Sequence, residues 1–301
     1  MRGGPGLDPR EPGTAAGRPR LGAEVLIVLG LSFGQAAIYA LLRLIRRLGE
    51  AESLRNQTAA INTSVTDVGW LDVTYQLVGA AFALVPVGLA LYLLAVRPAL
   101  ANAGGAAWAP GNDLATPLDP KWPPVAGQSA AAGASGRSKA VRPGTLLGLD
   151  LTQPLRDLGL GAALAAVIGL PGIGLYFLGR QLGVTVQVTT NNLGDHWWTL
   201  PVLVIAAFAA GASEEVVVVG YLVRRLEALA WAPWAIFLAS ATLRGTYHLY
   251  QGVGPFFGNL AMGLVFVWVF RRWGRVTPLL LAHWIMDIVA YVGPSLVGWP
   301  A

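Results

Sequence analysis

Cysteine is absent from this chain, lysine occurs only at Lys121 and Lys139, and charged residues make up 12% of the sequence. Without cysteine there is no disulfide framework, no thiolate metal site and no cysteine nucleophile. The sequence also contains no HExxH helix, no phosphate-cradling glycine loop and no basic aromatic surface for nucleic acid. By contrast, 54% of the residues are hydrophobic. This balance lies outside that of soluble domains and predicts an all-α, polytopic bundle of transmembrane helices.

Seven apolar stretches are long enough to cross a hydrocarbon core of about 30 Å. The third is interrupted by Pro171 and Gly172, the last two are short, and an eighth span stays open. The predicted spans cover residues 24–46, 73–96, 158–180, 198–225, 233–252, 255–271 and 276–294.

The regions between these spans differ in composition. Residues 1–22 are rich in Pro, Gly and Arg and predict a disordered N-terminal tail. Residues 23–97 hold the first two spans, and residues 98–147, rich in Pro, Gly and Ala, predict a flexible linker. The rest of the bundle occupies residues 148–301.

Orientation follows from the positive residues, which cytoplasmic loops retain. With the N-terminus inside, fifteen Lys and Arg residues fall on the inner side, and five fall outside: Arg43, Arg46, Arg47, Arg55 and Arg180. We therefore expect an integral protein of a bacterial plasma membrane with a cytoplasmic N-terminus.

Six ionisable residues lie within the predicted spans: Glu214, Glu215, Arg244, His248, His283 and Asp287. A charge at the bilayer centre costs about 2.5–3.5 kcal/mol on insertion scales, so these groups should pair or line a wet cavity. Counted from a turn near Trp231, Glu215 and His248 each lie about 25 Å away at 1.5 Å per residue. His283 lies about 12 Å beyond Arg275 by the same rise. The spacing predicts that all of them meet near the middle of the bilayer.

Glutamate in an apolar cavity can take a proton from water, and neutral imidazoles can orient that water or stabilise an oxyanion. Hydrolysis is the function that this combination favours. Each residue also has a structural interpretation: Glu215 with Arg244 as a helix-packing pair, and His283 with Asp287 as a local pair. Asn259 is interpreted as a supporting residue or as interhelical glue, His196 as an interfacial anchor, and Ser213 as a weak candidate nucleophile.

Three short motifs stand in order on apolar helices: EEVVVVG at 214–220, RGTYH at 244–248 and HWIMD at 283–287. In these residues the sequence resembles the CPBP family of intramembrane proteases, which includes the type II CAAX prenyl endopeptidases and bacteriocin immunity proteins. The pattern of that family is Glu-Glu-x-x-x-Arg, then Phe-x-x-x-His, then His-x-x-x-Asn or Asp. The resemblance covers about residues 198–294.

The resemblance implies a membrane endopeptidase in which Glu214 or Glu215, with His248, activates water, while His283 and Asp287 support the oxyanion or the water. The family is commonly called a metalloprotease, and zinc held by His248, His283 and Glu215 is one alternative. A metal-free glutamate mechanism is the other, and we favour it slightly because no close ligand pair is present. The expected partners are a membrane protein or peptide substrate and the lipid bilayer, without nucleic acid.

Two positions depart from the family pattern. Val219 stands at the motif arginine and Arg244 at the motif phenylalanine. Either this branch is inactive, or the arginine has moved to the neighbouring helix. The similar depth of Val219 and Arg244 favours the second interpretation.

Two other functional classes remain open. A proton- or ion-coupled transporter would also carry Glu, His and Asp on broken helices, although no internal repeat is apparent. A non-catalytic immunity or scaffold protein would keep the fold without the reaction.

Overall fold

The computed structural model describes residues 17–96 and 143–296, which form a helical bundle. Its α-helices are α1 (Gly17–Gly30), α2 (Phe33–Leu48), α3 (Gly69–Ala83), α4 (Val85–Val96), α5 (Pro154–Gln181), α6 (Thr199–Ser213), α7 (Leu222–Ala228), α8 (Pro233–Tyr247), α9 (Val253–Trp273) and α10 (Thr277–Leu296). A π-helix, Glu214–Tyr221, joins α6 to α7, and 3-10 turns cover Leu54–Asn56, Pro143–Leu147 and Leu249–Gln251.

Two short strands accompany the helices. Strand β1 (Thr58–Ala60) follows α2, and β2 (Gln187–Thr189) follows α5. They pair in parallel, with Thr58 opposite Gln187. The pair ties the loop after α2 to the loop after α5 on one side of the bundle. The predicted all-α fold class is confirmed, because these strands are a minor addition to the helices.

Four described helices are long and apolar enough to cross a membrane: Gly69–Val96, Pro154–Gln181, Thr199–Ala228 and Val253–Trp273. A fifth crossing results if Arg20–Gly30 and Phe33–Leu48, bent by 53°, form one broken span. The predicted span at 233–252 is wrong at its C-terminal end, because α8 stops at Tyr247. The chain then turns into α9 at Gly252, which has a φ of 110°. The total of seven spans stays a prediction.

The predicted tail and linker lie mostly outside the described residues. Helix α1 begins at Gly17, so residues 17–22 of the predicted tail are helical. At the other boundary, Pro143–Leu147 forms a 3-10 turn whose Leu147 is fully buried. In each of these described parts one apolar side chain, Leu21 or Leu147, packs into the bundle.

The helix that carries the paired glutamates lies at the centre. Two thirds of the most apolar window of Thr199–Ala228 is buried inside the protein, compared with about a tenth for Gly69–Val96. Val216, Val217 and Val219 of the π-helix belong to the main apolar cluster, together with Phe266 of α9 and Leu279 of α10. The outer helices instead expose large apolar side chains, as expected for a surface that faces lipid.

An ion-pair cluster joins the α9–α10 loop to Asp150, before α5, and to Asp157, in the first turn of α5. The Arg275 Nη2 atom lies 2.9 Å from Asp150 Oδ1 and 2.6 Å from Asp157 Oδ2. Partial burial tends to raise the pKa of Asp150, but hydrogen bonds from Arg275 and Thr152 outweigh it and lower the pKa to about 2. The ionised form of Asp150 therefore stabilises the fold.

Because the folded pKa of Asp150 lies below its usual 3.8, its contribution is present above that value and is lost as pH falls toward 2. We expect Asp150→Asn to lower the free energy of unfolding at pH 6 by about 1 kcal/mol, a small value because the pair is partly exposed. The loss should shrink at pH 2.5. Thermal midpoints of purified protein at the two pH values measure it, with Asp67→Asn, at an exposed aspartate, as control. An equal loss at both pH values would contradict the linkage.

Candidate functional site

Glu214 and Glu215 begin the π-helix, every residue of which is buried. In a π-helix each backbone N–H bonds the carbonyl five residues back, which widens the turn relative to an α-helix. Adjacent side chains then diverge less in direction, so both carboxylates can reach one partner on a neighbouring helix. Such π segments occur often at functional sites.

The common partner of the two glutamates is Arg244, near the end of α8. Its Nη1 atom lies 3.1 Å from Glu214 Oε2, and its Nη2 atom lies 2.7 Å from Glu215 Oε1. The Arg244 side chain is fully buried. Val219, at the position of the motif arginine, lies instead in the main apolar cluster. The predicted pairing across the two helices is thus confirmed: the guanidinium comes from α8.

The close approach of α8 to α9 places Arg244 at this point. Gly263 of α9 faces Ala241, and a Cβ atom added to Gly263 would lie 2.8 Å from the Ala241 Cα atom. The same Cβ would lie 3.3 Å from Arg244 Cδ. A larger residue at position 263 would therefore push α8 and its arginine away from the glutamates.

Tyr247 is a further contact of Glu214. Its hydroxyl donates to Glu214 Oε2 at 2.7 Å, and its ring lies 4.9 Å, centroid to centroid, from that of Phe33 on α2. Glu214 is therefore held by Arg244 and Tyr247 together. Tyr247 is a site residue that was not predicted from the sequence, although it stands directly before His248 inside the second motif.

His283 reaches the pair from α10. Its Nδ1 atom lies 2.6 Å from Glu215 Oε1, so Nδ1 carries the hydrogen and the carboxylate accepts it. Its Nε2 atom lies 3.5 Å from Asp287 Oδ2 and 4.0 Å from Glu214 Oε2. Gly211 of α6 permits this approach, because a Cβ there would already touch His283 Cβ at 3.4 Å.

Among the described residues, His248 and Asn259 form no hydrogen bond with this group. His248 caps the end of α8, and its Nδ1 atom donates to its own helix at the Arg244 carbonyl oxygen, 3.0 Å away. In the neutral ring Nε2 is then the free acceptor. Asn259 donates to the carbonyl of Pro255, also within its own helix, at 3.0 Å. Of the predicted site residues, the structure brings together Glu214, Glu215, Arg244, His283 and Asp287.

Ser213 and His196, for which the sequence gives weaker predictions, contact other residues. The Ser213 hydroxyl lies 2.6 Å from the carbonyl oxygens of both Ala83 and Ala209, which are acceptors for its single proton. His196 stacks on Trp198 at a ring distance of 4.9 Å. These contacts are structural ones for Ser213 and agree with an anchoring role for His196.

Glu214, Glu215 and His283 could hold a metal ion, because one ligand atom from each lies within 4.8 Å of the others. Carboxylate oxygen and imidazole nitrogen are both kinds of atom that bind zinc in proteins. Glu215 Oε2 is also buried without a hydrogen-bond partner among the described residues. The predicted set contained His248 in place of Glu214, but the ligand atoms of His248 are not part of this group.

A known protein family matches the part of the chain that carries this cluster. A family model described as type II CAAX prenyl endopeptidase Rce1-like matches residues 196–289. Residues 196–289 are therefore Rce1-like. The Rce1-like segment contains all three motifs, which confirms the resemblance seen in them. No protein of curated function and no solved structure was found to match.

The family match indicates a class of activity. It supports a membrane endopeptidase, a hydrolase of the CAAX protease type. The apolar helices agree with an integral membrane protein. The first two spans lie outside the Rce1-like segment, as does α5.

Proposed function

We propose that this protein is an intramembrane endopeptidase in which a glutamate activates water to hydrolyse a peptide bond at or within the bilayer. The observation that carries the proposal is the contact of two buried glutamates with one arginine and one histidine from three different helices. Buried charge without a partner is costly in a membrane. A purely structural ion pair needs only one carboxylate for the arginine, so the second carboxylate favours chemistry.

Glu214 is the better candidate for the general base. Its side chain is 12% exposed, whereas that of Glu215 is fully buried. Water can therefore reach Glu214 more easily. In this proposal Arg244 and Tyr247 orient the Glu214 carboxylate, while Glu215 holds Arg244 and His283 in place.

In the proposed reaction a proton passes from water to Glu214 and then to the leaving nitrogen. Glu214 takes a proton from water as the water oxygen bonds to the scissile carbonyl carbon, which leaves a negative charge on the carbonyl oxygen. The imidazolium form of His283, whose Nδ1–H is donated to Glu215, also carries an Nε2–H that can donate to this oxyanion. The His248 Nε2 atom, an acceptor in the neutral ring, can orient the water. When the C–N bond breaks, Glu214 returns the proton to the leaving nitrogen. Water is consumed, and a carboxylate and an amine are released.

A metal ion at Glu214, Glu215 and His283, if zinc, would supply a Lewis acid and lower the pKa of bound water. We favour the metal-free scheme, because the Arg244 guanidinium already contacts both carboxylates. A cation there repels a second cation at the same oxygens. The substrate in either scheme is a membrane-embedded or membrane-associated protein or peptide.

The test compares membranes from cells that produce the wild type with membranes that contain Glu214→Gln. New protein N-termini that appear only with the wild type identify the substrate and the bond. Glu52→Gln, at an exposed glutamate, is the control. If the two sets of N-termini are identical although both proteins insert, the endopeptidase proposal is wrong. Uptake that depends on Glu214, without a cleavage product, would favour the transporter.

With that product as the assay, we expect chelation to leave activity unchanged. Purified protein treated with a strong zinc chelator should cleave at the wild-type rate, and elemental analysis should find far less than one metal per chain. A bound zinc near one equivalent whose removal abolishes cleavage would instead establish the metal scheme.

A further inference from the structure

A groove opens where the α1–α2 bend meets α8. It has a volume of about 580 Å³, and its lining includes Leu26, Ile38, Leu42 and Leu243. Leu26 is 73% exposed, and Ile38 and Leu42 are more than half exposed. In a bilayer this surface faces hydrocarbon, so an acyl chain fits the groove without the cost of burying polar groups.

A second cavity of about 310 Å³ continues the groove toward the end of α2. The two cavities share Gln35 and Tyr39. The lining of the second is more polar and includes Arg43 and Tyr250. The sequence places Arg43 five residues before the end of α2, at a depth where arginine side chains reach the headgroups.

Arg43 differs from the neighbouring arginines in its contacts. Arg46 pairs with Glu50 at 2.9 Å, and Arg47 donates to Gln57 at 3.2 Å. Within residues 17–96 and 143–296, Arg43 forms no hydrogen bond or ion pair. An unpaired cation thus lies at the polar end of an apolar groove.

We propose that this groove binds one anionic phospholipid, with its phosphate at Arg43 and an acyl chain along α2 toward the bend. The distance supports this fit, since the nine residues from Arg43 to Gly34 span about 13 Å and α1 extends the groove. Basic pockets between membrane helices bind anionic headgroups in this way. The lipid would border Tyr247, which also lines the second cavity. The proposal depends only on the membrane location and not on proteolysis.

The test measures lipid retention by native mass spectrometry of protein taken from mixed phosphatidylcholine and phosphatidylglycerol. We expect the wild type to prefer phosphatidylglycerol by about five-fold, the effect of one arginine near an anionic surface. Arg43→Gln should lose this preference, and Arg46→Gln should keep it. If Arg43→Gln keeps the preference at an unchanged thermal midpoint, the headgroup assignment is wrong.

A second pair of variants tests the acyl chain. A Cβ atom at Gly30, which lines the groove, or at Gly22 on the same helix would meet nothing within 4 Å. Gly30→Phe should fill the groove and reduce binding of both lipids, whereas Gly22→Phe should not. Inorganic phosphate at millimolar concentration should not displace the lipid. Displacement by phosphate, or full binding to Gly30→Phe, would overturn the lipid assignment.

Discussion

Glu214→Gln is expected to reduce cleavage of the identified substrate by about 100-fold or more, while the protein still inserts and folds. Glutamine keeps the shape and can still contact Arg244 and Tyr247, but it cannot take the proton from water. Loss of a positioned general base costs about 10²–10⁴-fold in rate. The measurement is the rate of product formation by purified protein in detergent or vesicles.

Substitutions of the other site residues should also lower the cleavage rate, and they should differ in their effect on the thermal midpoint. His283→Ala and His248→Ala should each lower the rate by about 100-fold, because the first removes the oxyanion donor and the second removes the group that orients the water. Glu215→Gln should lower the rate to a similar degree and also the thermal midpoint, because Glu215 contacts both Arg244 and His283. Glu52→Gln should cleave normally. If Glu214→Gln cleaves as fast as the wild type, the base lies elsewhere; if Glu215→Gln alone is inactive, the roles of the two glutamates are reversed.

Arg244→Leu is expected to lower the free energy of unfolding by about 3–5 kcal/mol, the cost of removing one partner of a buried ion pair. The change leaves two carboxylates without their shared cation in an apolar setting. Protonation of a glutamate would reduce the loss. Thermal or denaturant unfolding of detergent-purified protein measures it, and no substrate is needed.

A double variant separates the ion pair from general packing. Arg244→Leu combined with Glu215→Gln should be less destabilised than the sum of the single variants by about 1–3 kcal/mol, since fewer charges remain unpaired. Arg46→Leu is the control, because its exposed pair with Glu50 should contribute less than about 1 kcal/mol. Additive effects of Arg244→Leu and Glu215→Gln would show that Arg244 acts by its volume alone.

Sequence alone determined the helical class of the protein and predicted five residues that the structure brings together, Glu214, Glu215, Arg244, His283 and Asp287. Hydrophobic content predicted the helical bundle, and the cost of membrane charge predicted that the ionisable residues meet. Counting residues from the turn near Trp231 put Glu215 level with His248 and Arg244 level with Val219, and the structure pairs Arg244 with both glutamates. This worked because the rise of a helix is constant, so depth follows from residue number even between helices.

Rotation about a helix axis and the ends of helices do not follow from residue number in the same way. The π-helix at Glu214–Tyr221 turns both carboxylates to one arginine, yet four successive valines carry no signal for it. Helix α8 ends at Tyr247, which places Tyr247 against Glu214 and leaves His248 bound to its own backbone. Gly211 and Gly263 set the distances between helices through contacts far apart in the chain. Tertiary packing alone decided these features, because each depends on which surface a neighbouring helix presents.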